Sequence, residues 1–144
     1  MSKKVLIVED EIFVALEIED IVQDAGFGVR AIAADRETAL QAAQDCDIAL
    51  VDLNLRDGFT GPDIGMELAE RHGIRVIYVT ANPAQIGHAA AAALGVITKP
   101  FRAQSIAAAL HLAAADDPLP DMDIAGFIPF RPGPDAWTGA ESRG

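Results

Sequence analysis

Five short apolar runs, each closing on a polar group, alternate along this chain with stretches of helical period. Val5-Leu6-Ile7-Val8 runs into Glu9-Asp10-Glu11 and Ala49-Leu50-Val51 into Asp52, while Phe27 to Ala34, weaker because Gly28 and Arg30 interrupt it, leads to Asp35. Arg75 to Val79 finishes on Thr80, and Val96-Ile97-Thr98 on Lys99-Pro100-Phe101. Continuous apolar runs of strand length are the pattern of parallel strands buried on both faces. Between them, Ile12 to Gly26 carries apolar residues at helical spacing and stops on glycine. Asp35 is placed to cap a helix through Gln44, and Pro62 to open one that runs through Arg71 and ends near Gly73. Pro83 is placed to open a helix to about Leu94 with Gly95 as its cap, and a last helix is predicted over Ala103 to Ala115. Alternation of this kind builds βαβ units with right-handed crossovers. The expected fold is an α/β, flavodoxin-like (βα)5 doubly wound parallel sheet with strand order 2-1-3-4-5.

Residues 1–115 carry that pattern. Residues 116–144 differ, with five prolines and four glycines, and are expected to form a tail without a core or output domain. Phe127, Ile128, Phe130 and Trp137 are placed to anchor that tail to a surface. With two arginines against six acids and no helix-turn-helix pattern, the tail excludes a DNA-binding role. The whole chain, at a net charge of −11, is likewise ill suited to a phosphate backbone and well suited to cations. One cysteine, Cys46, excludes an intramolecular disulfide and is expected to be a reduced, half-buried thiol. The first apolar run is too short for a signal-peptide core, and none reaches the roughly 18 residues of a membrane span. A soluble, cytoplasmic protein with no direct contact to membrane or nucleic acid is expected.

The chemistry lies where the strands end. In a parallel sheet Glu9, Asp10, Asp52, Thr80 and Lys99 all open onto one edge, the edge where open α/β folds place their ligands. Taken singly each has a bland reading, since an Asp at a strand end is most often a turn former and a Lys before Pro is usually solvated. Taken together, four strand ends of five carry compatible groups. Clustered carboxylates repel one another, which raises a pKa or recruits a cation. A hard cation such as Mg²⁺ suits oxygen ligands. Lys99 can hold an anion, Thr80 supplies a hydroxyl, and an Asp carboxylate can act as nucleophile. The set describes a phosphoryl-transfer centre with Asp52 as its working group.

At these residues the chain resembles the receiver domain of two-component response regulators, of the stand-alone, single-domain type. The resembling motifs are Val5-Leu6-Ile7-Val8-Glu9-Asp10-Glu11, Leu50-Val51-Asp52-Leu53-Asn54-Leu55, Val76-Ile77-Tyr78-Val79-Thr80-Ala81 and Thr98-Lys99-Pro100-Phe101, covering about residues 3–115. The resemblance implies that Asp52 accepts a phosphoryl group from a histidine kinase or histidine phosphotransfer protein. It implies Mg²⁺ held by Asp10, Asp52 and the Asn54 backbone carbonyl, and through water by Glu9. It implies that Lys99 pairs with the phosphoryl oxygens, that Thr80 moves to bond one of them, and that small Ala81 leaves room for the donor. It further implies a cis bond before Pro100 and a rate-tuning role for Asn54 and Asn82 in slow self-dephosphorylation, the protein being a phosphoacceptor and not an enzyme.

Three features depart from the family pattern. The segment from Thr80 to Lys99 is shorter than usual, Val96 replaces the aromatic expected three residues before the lysine, and Arg56 stands where proline is common, before a slightly long loop. Tyr78 is expected to lie too early in its strand to substitute for that aromatic. Ala84 to Ala115 holds 13 alanines and only two charged residues, Lys99 and Arg102. The face formed by the fourth predicted helix, the fifth strand and the last helix is therefore expected to bind a downstream protein or a second copy. Solvated or core positions are expected for His88 and His111. Two further readings compete with the phosphorylated switch. One is a receiver-like adaptor that binds partners without phosphorylation; the other, weaker because no second acid follows Asp52, is a metal-dependent phosphohydrolase.

Overall fold

The computed structural model describes residues 3–115 and 124–130. The strands are β1 (Lys4–Val8), β2 (Gly28–Ala33), β3 (Ile48–Val51), β4 (Arg75–Thr80), β5 (Ala93–Thr98) and β6 (Phe127–Pro129). The helices are α1 (Ile12–Asp24), α2 (Arg36–Gln41), α3 (Gly61–His72) and α4 (Ala103–Ala114). Strand order is β2-β1-β3-β4-β5-β6, parallel through β5, with β6 antiparallel at the end. The expected 2-1-3-4-5 sheet is present and gains a sixth strand.

Alternate strand residues feed two separate cores, as a sheet buried on both faces requires. Val5, Ile7, Ile48, Leu50, Ile77, Val79 and Ile97 face α1 and α4, where Ile18, Val22, Ile106 and Leu110 meet them. Leu6, Val8, Ala49, Val51, Val76, Tyr78 and Val96 face the other way, onto Ala39 of α2 and Ile64 and Leu68 of α3. Local signals fix the helix ends. The Asp35 side chain accepts from the Thr38 amide at the start of α2, Pro62 sits in the first turn of α3, and Gly73 closes α3 in the left-handed region at φ 65°. The Cys46 thiol is half-buried and donates to the Ala42 carbonyl at 3.1 Å, and burial pushes its pKa up.

Two expectations are corrected. The helix predicted from Pro83 to Leu94 does not form; the chain makes two 3₁₀ turns, Pro83–Gln85 and Gly87–Ala92, and β5 begins at Ala93, earlier than Val96. The twelve residues 81–92 pack against α3 and β5, and the turns are too short to close the hydrogen-bond ladder of a regular helix. Gly87, at φ 61°, separates the two turns. The interaction face expected there is consequently built from 3₁₀ turns, and the outer edge of β5 is covered.

The cover is the second correction. Phe127 enters the core against Ile97, and Ile128 and Pro129 pair with Val96 and Gly95. Phe127 and Ile128 thus anchor this segment as expected, but as a sixth strand, so that part of the predicted tail belongs to the sheet. Trp137 lies outside the described residues. None of the described helices is long and apolar enough to cross a membrane.

Candidate functional site

β1, β3, β4 and β5 deliver their last residues to one edge. The Lys99 ammonium lies 2.7 Å from Glu9 Oε1 and 2.8 Å from Asp52 Oδ2, so one cation joins the ends of three strands. Glu9 and Asp52 are buried and Asp10 is exposed, yet one carboxylate oxygen from each lies within 4.8 Å of the others. Burial pushes the Glu9 carboxyl up, an effect the hydrogen bond from Lys99 and the Glu11 amide only partly offsets. For Lys99, burial works against the charge, but hydrogen bonds to Asp52 and Glu9 outweigh it and hold the ammonium above its ordinary pKa. The second Asp52 oxygen, Oδ1, accepts from the Leu53 amide at 2.7 Å.

Around these groups is a cleft of about 340 Å³ lined by Asp10, Glu11, Asp52, Asn54, Thr80, Ala81, Asn82 and Lys99. Thr80 is buried, and its hydroxyl accepts from the Asn82 amide at 3.1 Å. Asn54, Ala81 and Asn82 are exposed at the rim, and the Lys99–Pro100 peptide bond is cis. Every residue expected to act at the strand ends therefore borders one cleft, apart from Glu9, which lies beneath it in contact with Lys99. The donor set is all oxygen and doubly buried on one side, with an exposed carboxylate on the other. That fits a hard divalent cation, which keeps part of its water shell. His88 and His111 are exposed and away from the site; His111 stacks at a tilt on Phe27, with ring centres 5.2 Å apart.

The loop after Asp52 is fixed by contacts that sequence reasoning did not single out. The Arg56 guanidinium pairs with Asp35, and its amide donates to the Ala34 carbonyl at 3.1 Å, a bond that the proline common at this place could not make. Asp57 accepts from the Arg36 amide and from the Thr60 hydroxyl, at 3.1 and 2.6 Å. Gly61 then opens α3 directly against Asp52; a Cβ there would collide with the Asp52 carbonyl oxygen and the Leu53 Cα. The Asp57–Thr60 spacing and the opposite charges of Asp35 and Arg56 were visible signals, but only the fold shows that these loops are neighbours.

The sequence profile named response regulator receiver domain matches residues 5–111. The chain belongs to that family. Among its relatives, the phyllosphere-induced regulator PhyR of Methylorubrum extorquens is 30% identical in an alignment 118 residues long that covers 78% of this chain and 44% of PhyR. The sensory transduction protein RegX3 of Mycolicibacterium smegmatis is 33% identical in an alignment 112 residues long that covers 74% of this chain and 48% of RegX3. This receiver domain thus spans about half the length of the curated relatives it matches. The solution structure of the Erythrobacter litoralis PhyR receiver domain superposes with a TM-score of 0.73 at 28% identity, covering 82% of this chain and 95% of that one.

Proposed function

We propose that this receiver domain is a signalling switch that accepts a phosphoryl group on Asp52 and acts through protein contact. The observation that carries the reading is the placement of Asp52, joined to Lys99 at 2.8 Å and within reach of Glu9 and Asp10. A carboxylate oxygen of Asp52 attacks the phosphorus of a phosphohistidine, the N–P bond breaks, and the imidazole leaves with that electron pair. Asp52 ends as a mixed anhydride. Lys99 balances charge on the phosphoryl oxygens, and the Thr80 hydroxyl can bond one of them. Asp10, Asp52 and the Asn54 carbonyl would hold Mg²⁺, with Glu9 behind them; bound there, it neutralises charge as the two anions approach. Asn54 and Asn82, at the rim, are the positions from which water access to the anhydride would be tuned. The donor is a histidine kinase or phosphotransfer protein, and the setting is the cytoplasm.

The deciding experiment is incubation with Mg²⁺ and a radiolabelled small-molecule phosphodonor. We expect one acid-stable, alkali-labile label per chain, absent from Asp52→Asn. Equal labelling of that variant would overturn the reading. A second reading is an adaptor that binds partners without phosphorylation. It is favoured by Val96 in place of an aromatic and by the 3₁₀ turns at 83–92, which alter the elements that would report the site's state. Partner binding unchanged by both the phosphodonor and Asp52→Asn would select it.

A further inference from the structure

The seven residues 124–130 are seated with more specificity than a passing tail needs. Phe127 lies opposite Ile97, and its ring covers Gly95; a Cβ on Gly95 would come within 2.5 Å of the Phe127 ring and of the Ile128 carbonyl oxygen. Gly126 turns at φ 79°, where a Cβ would lie 2.7 Å from the Ser105 hydroxyl. That hydroxyl donates to the Ala125 carbonyl at 2.5 Å, and the Phe130 amide donates to the Leu94 carbonyl at 2.8 Å. Both sides therefore carry a complementary absence: no side chain at residue 95 where the ring lies, and none at residue 126 where Ser105 approaches.

The hold is also narrow. Only Phe127 of this segment is buried; Ile128 is 53% exposed, and the strand is three residues long. Beneath it is the six-residue β5, whose backbone groups would otherwise form an open edge of the kind that recruits another strand. The seat lies on the two elements flanking Lys99, since β5 leads into that residue and Ser105 stands in the first turn of α4 just after it.

We propose that the outer edge of β5, with its notch at Gly95 and Ser105, is a strand-binding surface held shut in cis by residues 124–130. Its partner is an extended protein segment of the same chemistry: glycine, an aromatic, an apolar residue and proline. Such a segment adds a strand to β5 by main-chain bonds and is selected by the aromatic pocket. The tethered copy competes at high effective concentration, so the surface is available only when the latch opens.

The first test is hydrogen exchange on the whole, unmodified chain. Amides of β6 and of the β5 edge should exchange at least tenfold faster than those of β3; exchange only together with β3 would mean that the latch does not open and would overturn the proposal. The second uses a fluorescent peptide of residues 122–131 added to the full chain. Phe127→Ala should bind it at least tenfold more tightly than the wild type, and adding Gly95→Ala should abolish that gain. Ile128→Pro removes a strand amide beneath an exposed side chain and gives the same readout without emptying the core. Equal affinity for wild type and folded variants, or no effect of Gly95→Ala, would place the peptide elsewhere and reject the surface.

Discussion

Tyr78 stands opposite Val96 in the β4–β5 ladder, and its hydroxyl donates to the Ala89 carbonyl across 3.3 Å. An aromatic therefore lies directly beside the position where the family usually has one, fully buried and tied to the 3₁₀ segment. Space for it exists because residue 65 is glycine; a Cβ there would collide with the Tyr78 hydroxyl. Tyr78→Phe should cost about 1 kcal/mol, a neutral hydrogen bond. Gly65→Ala should cost about 1–3 kcal/mol through overpacking, and less in the Tyr78→Phe background because part of the collision is gone. Urea denaturation of the four proteins gives the coupling; strict additivity would contradict the contact.

Lys99 serves two buried carboxylates at once. Lys99→Met leaves Glu9 and Asp52 without their shared cation, so it should destabilise the fold by about 3 kcal/mol, the scale of breaking a buried pair. It should also cut phosphoryl labelling of Asp52 at least tenfold. Denaturation and labelling separate the two effects, and a variant as stable as wild type would show that the pair is not strongly coupled to folding.

Asp10 is the exposed member of the acidic cluster. Asp10→Asn should leave the melting temperature without Mg²⁺ unchanged or slightly higher, because one of three repelling charges is removed. The rise in melting temperature on adding Mg²⁺ should fall sharply in the variant, and chelation by EDTA should abolish both that rise and labelling in the wild type. An Mg²⁺ shift that survives Asp10→Asn would move the cation to another place.

The Arg56 clasp predicts a pH signature. Hydrogen bonds from Thr38 and Arg56 hold the Asp35 carboxyl well below its ordinary 3.8. A depressed carboxyl contributes stability above its unfolded pKa and loses it as pH falls through the folded one. The stability gap between wild type and Asp35→Asn should thus be constant near neutrality and shrink only at pH values below about 3.8. Arg56→Pro removes both the ion pair and the amide bond to Ala34, so its melting temperature should fall below that of Arg56→Ala. Equal melting temperatures would discount the amide bond.

Gly61 gives a last check on how closely α3 is pressed to the site. Gly61→Ala forces a collision with the Asp52 backbone, which must shift. Labelling at Asp52 should fall even where the variant remains folded, because small displacements of a nucleophile are costly. Wild-type labelling would show that the backbone there yields freely.

The parallel sheet and the shared edge at which Glu9, Asp10, Asp52, Thr80 and Lys99 meet were legible in the sequence. Apolar runs buried on both faces declare themselves by composition, and strand ends in a parallel sheet share an edge whatever else the fold does. The capped helices were legible for the same local reason, with Asp35, Pro62 and Gly73 acting where they stand. What tertiary structure decided depends on distance between remote segments. Residues 81–92 have the alanine content of a helix, but packed against α3 and β5 they form 3₁₀ turns. Arg56 meets Asp35, Gly61 meets Asp52 and Phe127 meets Gly95 only because the sheet brings their loops and edges together, and no periodicity within any one segment records such a meeting.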